Sequence, residues 1–211
     1  MKIMKTIIEK IDKNQKNTDI IREAGRILKE GGLVAFPTET VYGLGADALN
    51  EDAAKKIYAA KGRPSDNPLI IHITNMKALD KIVLEVPEKA VKVAEKYWPG
   101  PLTMIFNKSD IVPYGTTGGL DTVAVRMPVD EIAREVIDAG GGYIAAPSAN
   151  TSGRPSPTTA QHVAEDLTGR VDMIVDGGAV EIGVESTILD VTVEPPMILR
   201  PGAITKEMFE E

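Results

Sequence analysis

Lys61 and Arg63 stand two residues apart in KGRPSDNP, ahead of the apolar run LIIHI, and Ser148 and Asn150 stand in APSANTSGRPSPTT, behind GGYIAAP. Proline and glycine crowd both segments, so neither can be a helix interior, and each should be a rigid loop that fixes its side chains in place. Rigid loops at strand ends are where ligands bind. An ammonium, a guanidinium, a hydroxyl and an amide together suit a phosphate-bearing ligand, arginine gripping with two prongs and lysine acting as a point charge. Asn67 and Ser65 add donors to the first loop. The pattern is that of a nucleotide-using enzyme whose Lys61 and Arg63 point into one cleft; a solvated surface pair is the competing reading.

Other segments add to this set. In FPTETVYGLGADA, Thr38, Glu39, Thr40 and Tyr42 bring hydroxyls and a carboxylate to a strand end, and the glycines permit close backbone approach, although a plain glycine turn reads equally well. No GxGxxG follows a strand and no GxxxxGK[ST] occurs, which excludes the usual glycine-rich phosphate loops. Thr122 and Arg126 in TVAVR share one face of a strand. An arginine among valine and alanine needs an anion, either a buried acidic side chain or a ligand carboxylate. His72, inside LIIHI, reads as a core histidine with one hydrogen bond, and no second histidine stands at metal-ligand spacing. Glu185, Ser186 and Thr187 open one strand and Arg200 closes another. SANTSGRPSPTT is long for an ordinary loop in a compact domain, and its hydroxyls precede a helix starting near Thr158 or Thr159, the arrangement of an anion cradle.

These residues must be held by an α/β framework. The chain has 211 residues, 43% of them hydrophobic, enough for one compact domain over residues 1–211. Its net charge of −7 argues against coating nucleic acid, and 4% aromatic residues with one tryptophan argue against a base-stacking platform. With no cysteine there is no disulfide, thiolate zinc site or thiol nucleophile. No apolar stretch approaches a membrane span or a signal-peptide core, so cytoplasmic residence without a membrane is expected. Helical spacing predicts helices over 18–30, capped by Thr18 and stopped by Gly31, from Asn50 to the KGRP loop, over 75–84 and 87–97, in DEIAREVIDAG and in TTAQHVAEDL. Strands are predicted at LVAF, LIIHI, LTMIF, TVAVRMP, YIAAP, DMIVDGG, STILDV and MILRPG, the last three antiparallel where no helix separates them. Together these elements form a twisted mixed sheet covered by helices. Residues 1–17 read as an N-terminal extension, and 205–211 as the start of a linker or a short helix capped by Thr205.

PTETVYGLG, KGRP with NPL downstream, WPGPLT, VAVRMP, PSANTSG, ESTI and LRPG stand in the order found in the YrdC-type threonylcarbamoyl-AMP synthase family, which this chain resembles over roughly residues 18 to 204. The resemblance implies the YrdC-like fold, a twisted α/β sheet with a deep cationic cavity. It implies that L-threonine, bicarbonate and ATP give threonylcarbamoyl-AMP and pyrophosphate, the first step of threonylcarbamoyladenosine formation on tRNA. The family's Lys, Arg, Ser, Asn signature falls on Lys61, Arg63, Ser148 and Asn150. By the same resemblance Arg63, Asn67, Thr122, Ser148, Ser156 and Arg200 contact ATP, together with Lys61 and Asn150. Thr38, His72, Arg126, the backbone of Ala146 and Ser186 contact threonine, so that Arg126 meets the threonine carboxylate.

Catalysis is then expected from Lys61 and Arg63 stabilising phosphoryl charge while a threonine carbamate attacks the α-phosphorus. Mg²⁺ is expected to arrive with ATP, with no metal ligand from protein side chains. The product would pass to the downstream tRNA threonylcarbamoyl transferase machinery, with a weak RNA contact. Two alternatives are a double-stranded RNA-binding module and a carbamoyl transferase of hydrogenase maturation; the latter module normally accompanies zinc-finger cysteines absent here. The resemblance accommodates both a short member and a trimmed two-domain member.

Overall fold

The computed structural model describes residues 5–12 and 16–210. In chain order these form β1 (Ile7–Lys10), α1 (Thr18–Lys29), β2 (Val34–Phe36), β3 (Gly43–Asp47), α2 (Glu51–Lys61), β4 (Ile70–His72), α3 (Leu79–Ile82), α4 (Glu88–Tyr97), β5 (Leu102–Asn107) and α5 (Tyr114–Thr117). Then follow β6 (Thr122–Arg126), α6 (Glu131–Ala139), β7 (Ile144–Ala145), α7 (Ala160–Leu167), β8 (Met173–Asp176), β9 (Thr187–Asp190), β10 (Met197–Arg200) and α8 (Lys206–Glu210). The strands make one mixed sheet in the order β1-β8-β2-β3-β7-β4-β6-β5-β9-β10. No helix among the described residues is long and apolar enough to cross a membrane.

The local rules act as the sequence suggests at most element ends. Asn50 caps α2 by accepting from the Asp52 and Ala53 amides, and Gly62, at φ +62°, ends it in the left-handed conformation. Asp130 caps α6 and Thr159 caps α7 in the same way. The apolar face of α1 buries Ala24, Ile27 and Leu28 against Val136 and Ile137 of α6 and Val34 and Phe36 of β2. On the other side Ile57, Leu69, Ile71, Leu79, Met104 and Val125 join α2, α3 and the central strands in a second core.

Several expectations are corrected. The segment 1–17 is not a simple extension: β1 pairs in parallel with β8 at one sheet edge, Ile7 opposite Met173. Residues 1–4 and 13–15 of that segment, and Glu211 of the expected 205–211 element, lie outside the described residues. Thr18 begins α1 rather than capping it; Asn17 holds the cap position. The glycines of YGLGAD do not make a turn but lie in β3, antiparallel to β2 and β7. Gly45 is needed there because a Cβ would stand 2.7 Å from the Phe36 ring. β9 and β10 are antiparallel neighbours as expected, whereas β8 joins β1 and β2 in parallel far across the sheet.

Candidate active site

Strand register builds the site. His72 of β4 lies opposite Arg126 of β6, Arg126 opposite Thr103 of β5, Thr103 opposite Ile188 of β9, and Ile188 opposite Arg200 of β10. Residues opposite one another share a sheet face, so one row across five strands delivers a histidine and two arginines to the same side. Val123 and Val125 fill the core on the other face, while Ala124 and Arg126 line a cavity of about 310 Å³. Two loops close it: Arg63 and Asn67 come from the KGRPSDN segment and Ala146 and Ser148 from the segment after β7. Two surface hollows are larger, at about 720 and 740 Å³, but the first is mainly acidic and apolar and the second mixes charges of both signs. Lys16 stands among acidic residues in the first, Glu39 among them, and Lys56 and Arg170 stand beside Glu30 and Asp172 in the second; the smaller cavity is set apart because it brings Arg63, Arg126, Arg200 and His72 together from the segments singled out in the sequence.

The cavity's electrostatics come from three guanidinium groups. Arg126 is 4% exposed; its Nη2 donates to Glu39 Oε1 at 2.6 Å, its Nη1 to Thr40 Oγ1 at 2.8 Å and its Nε to the Gly100 carbonyl at 3.4 Å. Arg63 donates from Nη2 to the Pro68 carbonyl at 3.2 Å, and its buried Nε has no acceptor among the described residues. Burial lowers the pKa of Arg63. Arg200 donates from Nε and Nη2 to the Ser186 carbonyl at 3.1 and 2.9 Å and reaches the Ser186 hydroxyl at 3.2 Å. Its pKa is lowered chiefly by burial and further by the charges of Arg126 and Arg63, partly offset by Glu185. Cations crowded enough to disfavour one another, with donors to spare, make a ready anion site.

His72 is held neutral, its pKa pushed down to about 3 by burial and by Arg126. Its Nδ1 lies 3.1 Å from the Ile70 carbonyl and takes the proton there, leaving Nε2 as an acceptor. Ser186 shares a 2.7 Å hydrogen bond with Thr103. Ser156 does not line the cavity; its hydroxyl donates to Glu185 Oε1 at 2.5 Å, and that bond together with Arg200 lowers the Glu185 pKa despite burial. Glu185 itself lines the cavity.

Lys61 is placed differently from expectation. It is the last residue of α2, which ends at Gly62 in the left-handed conformation before Arg63. Its ammonium donates to the Ser148 carbonyl, to the Asn150 carbonyl at 2.6 Å and, at 3.5 Å, to Asn150 Oδ1. Burial, then the Arg63 charge, lowers its pKa to about 8. The Asn150 amide is spent on the Thr151 and Arg154 carbonyls. Lys61 and Asn150 thus join the two signature loops without lining the cavity, and Ser148 alone of that loop's signature pair reaches it. Thr38 turns inward, donating to the Val41 carbonyl at 2.7 Å; its neighbour Thr40 lines the cavity instead. Thr122 continues the face of Ala124 and Arg126 beyond the cavity lining. Of the expected contacts the structure brings together Arg63, Asn67, His72, Arg126, Ala146, Ser148, Ser186 and Arg200; it adds Thr40 and Glu185 to the lining and Glu39 as the ion-pair partner of Arg126, residues the sequence marks only as polar groups at strand ends. The signal for Glu39 was only its place in PTET, since its partner stands 87 residues away.

The family model for Sua5, YciO and YrdC proteins, described as "Telomere recombination", matches residues 26–202. The chain belongs to this family. Among Sua5-type relatives, the threonylcarbamoyl-AMP synthase of Pyrococcus abyssi is 58% identical over 191 residues, covering 90% of this chain and 56% of that protein. That of Bacillus subtilis is 52% identical over 211 residues, covering 100% of this chain and 61% of that protein. The crystal structure of P. abyssi Sua5 complexed with L-threonine superposes with a TM-score of 0.90 at 54% identity, over 99% of this chain and 60% of that one. The chain therefore spans about three-fifths of the length of the Sua5 proteins it matches. The YrdC-like fold is shown, and the relatives' names favour neither the RNA-binding nor the carbamoyl-transfer alternative.

Proposed function

We propose that this chain makes threonylcarbamoyl-AMP: L-threonine, bicarbonate and ATP give threonylcarbamoyl-AMP, pyrophosphate and water. The observation that carries the reading is the convergence of Arg63, Arg126 and Arg200 on one cavity beside a neutral histidine. A guanidinium has five N–H donors. Arg126 commits one each to Glu39, Thr40 and Gly100, so the remaining pair fits the two oxygens of one ligand carboxylate. His72 Nε2 then accepts the threonine hydroxyl. Arg63 and Arg200, whose donors are incompletely used, take the phosphates, with Ser148 and Asn67 alongside.

In this reading the threonine amine attacks the carbon of CO₂ from bicarbonate, loses a proton and becomes a carbamate. A carbamate oxygen then attacks the α-phosphorus as the bond to pyrophosphate breaks. The cavity's part is alignment and stabilisation of phosphoryl charge, with no protein nucleophile. Lys61 serves as a positioning residue through the Ser148 loop. No group of three or more His, Asp or Glu residues suited to a metal occurs among the described residues, and Mg²⁺ is assigned to the ATP complex as substrate. Transfer of the product to a tRNA-modifying partner and cytoplasmic residence belong to the same proposal. The test is pyrophosphate release from Mg-ATP with and without threonine and bicarbonate. Release requiring both supports the reading; release indifferent to threonine overturns it.

A further inference from the structure

Among the described residues Arg63 and Arg200 form no ion pair, whereas Arg126 is bridged to Glu39 with side-chain exposures of 5% and 4%. Glu39 engages Arg126 through Oε1; its Oε2 is buried without a donor among the described residues. A buried carboxylate oxygen left unpaired is costly and calls for a reason. Pairing Arg126 internally also changes what it can bind. Arg126 and Glu39 together are neutral, so a plain carboxylate settling on Arg126 adds an uncompensated negative charge to a buried place. A zwitterion adds none, because its ammonium compensates its own carboxylate. Glu185 lines the cavity itself, and Glu39 meets it through Arg126. The three guanidinium groups exceed these two carboxylates by a single positive charge, which a triphosphate more than consumes. With nucleotide present, an unbalanced carboxylate is rejected still more strongly.

We propose that Glu39 is a specificity-determining residue: by cancelling Arg126 it admits an acid that carries its own ammonium and rejects the same acid without one. This is selection by built-in repulsion as much as by attraction. It rests on the reading of the cavity as a threonine site. Glu39 acts partly through Arg126, so orientation of the guanidinium is the simpler role to be separated from it.

The test measures binding of L-threonine and of (R)-3-hydroxybutanoate, which is threonine without its amine, to the 211-residue chain by calorimetry, with and without a non-hydrolysable ATP analogue. The wild type is expected to prefer threonine at least tenfold, more so with the analogue. E39Q keeps an oxygen for Arg126 but removes the charge; it is expected to weaken threonine, tighten hydroxybutanoate and reduce the preference at least tenfold. If E39Q weakens both ligands equally, Glu39 only orients Arg126 and the inference is wrong. A wild type that binds both acids alike sinks it without any variant. Failure of the wild type to bind threonine at all would remove the threonine reading itself, and the inference with it.

Discussion

Lys61 and Arg63 are two residues apart in one motif, yet the fold gives them opposite surroundings. The Lys61 ammonium is ringed by oxygens of the Ser148–Asn150 segment. Arg63 has one hydrogen bond to Pro68 and a buried Nε with no acceptor among the described residues. A buried cation whose donors are satisfied stabilises structure, whereas one with donors left over is held in readiness for a ligand. The two residues stand on either side of the helix end at Gly62, Lys61 in the last turn of α2 and Arg63 in the loop beyond it.

The strongest challenge to this contrast is a cation that belongs to both categories. Arg126 is paired with Glu39 and also lines the cavity. Arg126→Ala should abolish threonine-dependent pyrophosphate release and, by stranding the Glu39 charge, destabilise the fold by about 3–5 kcal/mol in denaturant titration. A variant of unchanged stability would mean that the pair contributes nothing to the fold. Lys61→Met should behave as damage to structure: it leaves buried carbonyls without donors, at about 1–3 kcal/mol. The melting point should fall, and activity should fall with it as Ser148 shifts, raising the KM for ATP more than it lowers kcat. Loss of kcat with an unchanged melting point would instead put Lys61 in contact with the phosphates.

How far this contrast could be read beforehand differs between its halves. The two loops, the α2 cap at Asn50 and the stop at Gly62 follow from local rules, and so does the shared face of Thr122 and Arg126. What local rules miss is which donors are already spent. Arg126 meets Glu39 across 87 residues, and Lys61 meets Asn150 across 89, distances set only when β6 and the loop after β7 are assembled. β3 was hidden for a related reason: Gly45 serves close packing against Phe36 and Gly43 against Ala146, which resembles a turn until the neighbouring strands are known.

A smaller effect concerns His72, which stands opposite Arg126 in the sheet. With its folded pKa near 3 against an ordinary 6.5, the native state excludes a proton that the unfolded chain binds between those values. Stability from this group is therefore complete above about pH 6.5 and declines as pH falls toward 3, by up to about 1.4 kcal/mol per pH unit. Denaturant titrations of the wild type and of His72→Asn over that window should show a steeper acid loss for the wild type. Parallel curves would mean that His72 is not held neutral by its surroundings.

The most direct measurement is calorimetric binding of an ATP analogue, in the presence of threonine, to the wild type and to Arg63→Ala, with melting points recorded on the same samples. The account predicts at least a tenfold loss of nucleotide affinity in the variant with a melting point unchanged or raised, because the removed charge had few partners to lose. Undiminished affinity, or a large drop in melting point, would contradict the claim that the unsatisfied guanidinium groups of this cavity are its ligand-binding elements.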